Sequence, residues 1–183
     1  MSDPADFHQM RVASGAANRR NVGERNPMDE IIRRQRVTVN EHIDLENAHN
    51  WAAVCDTFAS NESAIDVVPF HVAFGGFDGI NNFYQAVAAA FPDFKANVFG
   101  EYDAPGCSVR EITVHGTHKG EWGGIAATGR RVKFHVLVLY LFSKDDTSGK
   151  LLAERLYFDN ETVMKQIKGE AEATSVPEFG DHQ

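Results

Sequence analysis

Asp159 stands where an apolar and aromatic run ends and a short amphipathic pattern begins, in the stretch "ERLYFDNETVMKQI" over residues 154–167. A carboxylate in that place can do two kinds of work. As the residue before a helix it can accept hydrogen bonds from the backbone N–H of Glu161 or Thr162 and cap the first turn. Inside an enclosed apolar cavity the same group can serve as both acid and base, because desolvation raises its pKa toward neutral pH. The two roles are compatible, since a helix N-terminus stabilises the anion. Strand alternation places Leu151, Ala153, Arg155, Tyr157 and Asp159 on one face, and Leu152, Glu154, Leu156 and Phe158 on the other. If the first face lines a cavity, Arg155 holds Asp159 ionised. That pair suits orienting a substrate, or positioning a water for hydrolysis, better than donating a proton.

Three histidines are the other candidates. His115 and His118 in "HGTH" point to opposite faces of a strand, and no third ligand stands at metal-binding spacing, so no metal or other cofactor is expected. His118 is either a structural histidine bonding the loop that follows it or a catalytic part. His135, in the middle of "KFHVLVLYLF", is a polar ring on an apolar strand and needs a partner, either in the core or on a substrate carbonyl. Tyr157 and Tyr140 could hydrogen-bond a substrate or fill the sheet surface. The loop "KGEWGGIAATGRR" lacks the strand–glycine–helix context of a phosphate cradle, and reads instead as a rim in which Trp122 and Ile125 close a cavity. No nucleophile elbow is evident, and neither Cys55 nor Cys107 has a local activator.

These residues need elements to hold them. Apolar positions over 28–46 fall on a helical stripe, although the β-branched run Val37, Thr38 and Val39 weakens it. A short helix through Trp51 and Val54 follows, and then a strand, "ESAIDVVPF", that stops at Pro69. Ile80, Phe83, Tyr84, Val87, Ala88 and Phe91 mark the clearest helix, 79–91, ended by Pro92. Strands are predicted over 94–102, 107–118, 131–143 and 150–158, with the closing helix from Asn160 to Lys168. Helices first and antiparallel strands after them imply an α+β fold, a curved sheet wrapped around about three helices and enclosing a cavity.

The chain has 183 residues, 43% hydrophobic and 24% charged, which fits one domain with a full core. Residues 1–27 read as a polar extension, 28–169 as the domain and 170–183 as a polar tail. A net charge of −8 disfavours nucleic acid and anionic membrane as partners. A small molecule or a protein is the expected partner. Two isolated cysteines, no leader-like apolar stretch and no membrane-length apolar run point to the cytoplasm.

Four segments in order, "ENAHNWAAVCDTFA" (46–59), "FPDF" (91–94), "GTHKGEWGGIAATGRRVKF" (116–134) and "ERLYFDNETVMKQI", resemble the SnoaL-like polyketide cyclase and ester cyclase family of the NTF2-like superfamily. The resemblance spans roughly residues 28–169. It implies a cone-shaped α+β fold, a homodimer and a cofactor-free enzyme acting on a small hydrophobic carbonyl compound. The family's catalytic Asp is matched by Asp159, and His118 lies in its "GTH" element. His135, Arg155, Tyr157 and Trp122 are then candidate substrate-binding groups. Epoxide or ester hydrolysis, and a non-catalytic binding or dimerisation module, are the alternatives, because the fold hosts several chemistries.

Overall fold

The computed structural model describes residues 26–143 and 148–176. Most of the expected N-terminal extension, residues 177–183 of the expected tail and residues 144–147 of the connection before the last strand lie outside the described residues. Helix α1 (Pro27–Asn47) starts where Asn26 Oδ1 accepts from Met28 N at 3.1 Å, with proline in its first turn and Asp29 and Glu30 against its positive end. The β-branched run does not interrupt it, because the buried stripe Val39, His42, Ile43 and Glu46 is held by tertiary packing. The one-turn helix α2 (Trp51–Cys55) follows.

Strand β1 (Ala64–Val67) ends at a 3₁₀ turn through Pro69, and β2 (Val72–Gly75) pairs back on it. The sequence reading did not predict β2; it is a four-residue edge strand with little buried surface, so no alternation marks it. Helix α3 (Gly76–Ala90) begins three residues earlier than its apolar period suggests. The reason is remote, since Asn61 Oδ1 accepts from Phe77 N at 3.0 Å. Strands β3 (Lys95–Ala104), β4 (Cys107–Thr117), β5 (Arg131–Phe142) and β6 (Leu151–Phe158) form a meander, and α4 (Asn160–Lys168) closes the chain as expected.

The sheet order is β2-β1-β6-β5-β4-β3, antiparallel except where β1 lies parallel to β6. Register shifts at Val98/Gly100 and Leu141/Phe142 help the sheet curve. The α+β expectation holds: α1, α2 and α3 pack into the concave face, and the sheet stays open at β2 and β3. Helix α4 folds back on β5, where the Gln166 amide bonds both the N–H and the C=O of Lys133 at 2.8 Å.

The 119–130 loop is tied to the end of α3 by Lys119 N donating to Ala90 O at 2.8 Å. At Gly120 a Cβ would overlap the Ala89 backbone carbonyl, which cannot swing away. Gly120→Ala should therefore cost about 1–3 kcal/mol in urea unfolding, the usual range for overpacking; an unchanged midpoint would contradict the close approach.

Candidate active site

Between the sheet and the three helices lies a cavity of about 720 Å³, its opening to solvent included. Nine of its nineteen lining residues are aromatic, and its ionisable lining is confined to Glu46, Tyr84, Tyr140 and Glu154. Each of these comes from a different element, and each has a local reason to point inward. Glu46 completes an i, i+3, i+4, i+7 stripe with Val39, His42 and Ile43. Tyr84 lies on the buried face of α3. Tyr140 and Glu154 stand directly opposite each other on β5 and β6. Ser108 and Asp103 continue the same register line across β4 and β3, giving a polar row on the inner face beside the buried Arg110, which donates to Asp103 at 2.9 Å and to Ser108 at 3.2 Å.

His42 joins these groups. It is fully buried, with Nδ1 2.8 Å from Thr57 Oγ1 and Nε2 3.0 Å from the Tyr84 hydroxyl. The hydrogens can be counted. Thr57 spends its hydroxyl hydrogen on Val54 O at 2.6 Å, so Nδ1 must be the donor to Thr57. Tyr84 spends its own on Glu154 Oε2 at 2.9 Å, so Nε2 must also donate. His42 is therefore an imidazolium, with Glu46 and Glu154 oxygens each 3.5 Å from Nε2.

The electrostatics agree. Burial alone would depress the His42 pKa, but the charge of Glu46 and hydrogen bonding with both carboxylates override it and push it up to about 10. Desolvation raises the Glu46 pKa despite the attraction of His42. Burial, followed by the charge of Glu154, keeps Tyr84 and Tyr140 as phenols. Among the described residues, His42, Glu46 and Glu154 are the one group with metal-ligand spacing, their donor atoms lying within 4.8 Å of one another. With both ring nitrogens donating, however, His42 has no lone pair to offer an ion.

Comparison with known proteins places the chain. Residues 36–167 match the SnoaL-like polyketide cyclase family. The chain belongs to that family. Its fold is that of a protein assigned as a SnoaL-like polyketide cyclase from Jannaschia sp. CCS1 (TM-score 0.68, 18% identity, 79% of this chain and 96% of that one). It is similar also to a phenazine biosynthesis-related protein from Pseudomonas aeruginosa (0.61, 16%, 84% and 94%). A third likeness is to a protein of ketosteroid isomerase-like fold from Catenulispora acidiphila, solved with trimethylamine (0.61, 14%, 76% and 97%). No curated protein matches the chain in sequence.

Within this SnoaL-like frame the residues singled out from the sequence separate into groups. Asp159 is exposed and caps α4, accepting from Glu161 N at 2.9 Å, Thr162 N at 3.3 Å and the Thr162 hydroxyl at 2.6 Å. The Thr162 bond, with those backbone donors, holds its carboxyl below the usual range. Arg155 pairs with Asp66 across the parallel β1–β6 register, Nε to Oδ2 2.9 Å, and not with Asp159. His135 bonds Thr113 at 3.1 Å on the convex face, which Tyr157 shares, 40% exposed. The alternation along β6 was read in the right phase, but the inward face is the one with Glu154, Leu156 and Phe158.

His118 is buried behind Phe91; its Nδ1 accepts from Thr128 N at 3.3 Å and lies 3.0 Å from Thr128 Oγ1, and burial lowers its pKa. Trp122, from the 119–130 loop, does line the cavity and meets Phe91 and Phe70 edge-on. The sequence reading passed over His42, Glu46 and Glu154 and took Tyr84 for core. A signal was present: two ionisable residues stand in one apolar stripe of α1, and one stands on the apolar face of β6.

Both His42 and Glu46 bind protons more tightly folded than unfolded. Their contribution is complete below the unfolded values and is lost as pH rises, for His42 through about 10. Urea unfolding of the wild type should therefore lose stability between about pH 6.5 and 10, and His42→Gln should flatten that slope. Parallel slopes would show that His42 is neutral when folded.

Proposed function

We propose that the protein is a cofactor-free enzyme of carbon-acid chemistry, acting on a small hydrophobic carbonyl compound, with Glu46 as the acid/base. The observation that carries this reading is a desolvated carboxylate with a raised pKa, facing an aromatic cavity and backed by a fixed cation. A raised pKa makes the Glu46 carboxylate a stronger base toward a C–H beside a carbonyl. In a ring closure of the polyketide cyclase type, Glu46 takes that proton, and the enolate carbon forms the new C–C bond to a second carbonyl. The resulting alkoxide takes the proton back from Glu46, which returns to its starting state. The enolate is stabilised by the substrate's own conjugation, so no cofactor is needed. His42 holds Glu154 and Glu46 in place, and Tyr84 fixes the orientation of Glu154. Trp122 and the aromatic walls would bind a planar body.

Asp159 keeps the role of helix cap in this reading. The hydrolytic alternative needed Asp159 and Arg155 to share a water, and Arg155 is committed to Asp66. A homodimer in the cytoplasm fits the same picture. The exposed pair Leu137 and Tyr157, directly opposite each other on the convex face, offers an apolar surface for a second copy. Light scattering should give twice the chain mass, and Leu137→Lys should shift it toward the monomer; a monomeric wild type would refute the dimer.

The chemistry can be tested without knowing the substrate. In D2O, the protein should speed exchange of the C2 protons of 1-indanone followed by NMR. Glu46→Gln should lower that rate at least about a hundredfold, the usual worth of a general base, and Asp159→Asn should leave it within a factor of about two. Exchange that survives Glu46→Gln but is lost in Asp159→Asn would return the chemistry to Asp159.

A further inference from the structure

Tyr140 is the one residue of the polar row whose hydrogen-bonding is incomplete. It is fully buried, it lines the cavity, and its hydroxyl has no partner, whereas Tyr84 on the facing helix bonds both His42 and Glu154. A phenol in a dry interior without a partner is expensive to keep, and buried polar groups are as a rule satisfied. Phenylalanine would fill the same volume without that cost.

The surroundings say what the missing partner is. The ring packs edge-on against His42 with centroids 5.5 Å apart, and Glu154 is its direct cross-strand neighbour. The imidazolium and carboxylates of the cluster satisfy one another and leave Tyr140 aside. Burial and the nearby negative charge of Glu154 and Glu46 keep it protonated, so its hydrogen is available and has nothing among the described residues to go to. The fitting partner is a neutral acceptor that brings no charge, delivered by a ligand whose remaining surface suits aromatic walls. A carbonyl oxygen on a planar apolar body meets both conditions, whereas a carboxylate would be repelled by Glu154 and Glu46, and an ammonium group has no lone pair and would leave the phenol hydrogen unpartnered.

Resting on the reading of the cavity as a carbon-acid site, we infer that the Tyr140 hydroxyl donates to the substrate's carbonyl oxygen and selects planar apolar ketones and enones over the corresponding hydrocarbons. Such a bond strengthens as the oxygen gains charge in the enolate, so Tyr140 contributes to the chemistry as well as to binding.

The test uses two probes of one shape, 1-indanone and indane, titrated against the full-length protein by calorimetry and by the fluorescence of Trp51 and Trp122. Wild type should bind 1-indanone about three- to tenfold tighter than indane, the worth of one net hydrogen bond. Tyr140→Phe should bring the two within about twofold while leaving indane unchanged. It should also unfold at the same or a higher temperature, because no folded-state bond is lost. An indanone-to-indane ratio that Tyr140→Phe does not alter would overturn the inference and leave the cavity reading intact. A fall in melting temperature would show an internal partner for the hydroxyl and overturn it as well. If neither probe binds the wild type, the cavity reading fails and takes this inference with it.

Discussion

Two carboxylates share one apolar interior, and His42 is what makes that possible. An uncompensated buried carboxylate costs several kcal/mol, and breaking a buried ion cluster by removing a partner typically costs about 3–5 kcal/mol. Helix α1 must therefore carry His42 and Glu46 one turn apart on its inward stripe, and Thr57 must stand where it can take the Nδ1 hydrogen. Tyr84 must reach across from α3 to divide its hydroxyl between His42 and Glu154. Three helices and the last strand are fixed relative to one another by these few bonds, and the cavity takes its shape from them.

The same arrangement separates an aromatic wall from a polar cluster. Aromatic side chains supply nearly half of the residues of the cavity wall, with Trp51 stacked on Tyr84 at 5.5 Å and Phe91 set against Trp122 at 5.1 Å. The polar groups are gathered in one row across β3 to β6 and under α1. Members of one fold family differ in activity through such side chains and not through the scaffold. In this chain a glutamate on α1, desolvated and beside His42, is the carboxylate that faces the cavity, and the proposed chemistry rests on it, while the aspartate at the end of β6 caps the helix after it.

The sequence made the architecture legible because periodicity reports elements directly. The stripe of α3, the four long strands and α4 were readable, whereas β2 was too short for its alternation to register, and the early start of α3 depended on a distant Asn61. The site was less legible for a physical reason. Alternation on β6 gives two faces and does not say which is inside, and the register shift at Leu141/Phe142 leaves Leu151 buried and Leu152 outside, against the simple period. Arg155 looked like a neighbour of Asp159 because β1, its real partner through Asp66, lies nearly ninety residues away in the chain. Glu154 was placed on the apolar face, but the residues that neutralise it come from α1 and α3. Only the assembled fold brings them together.

Since the protonation of His42 is what lets Glu46 and Glu154 share one buried site, and the reading of Glu46 as acid/base leans on that cation, it is the quantity to measure. In protein with 15N-labelled histidine, the ring nitrogens of His42 should keep the paired shifts of an imidazolium from about pH 6 to beyond pH 8, with both N–H protons observable. A neutral ring at pH 8, with one nitrogen unprotonated and a titration near the ordinary histidine value of about 6.5, would contradict the account.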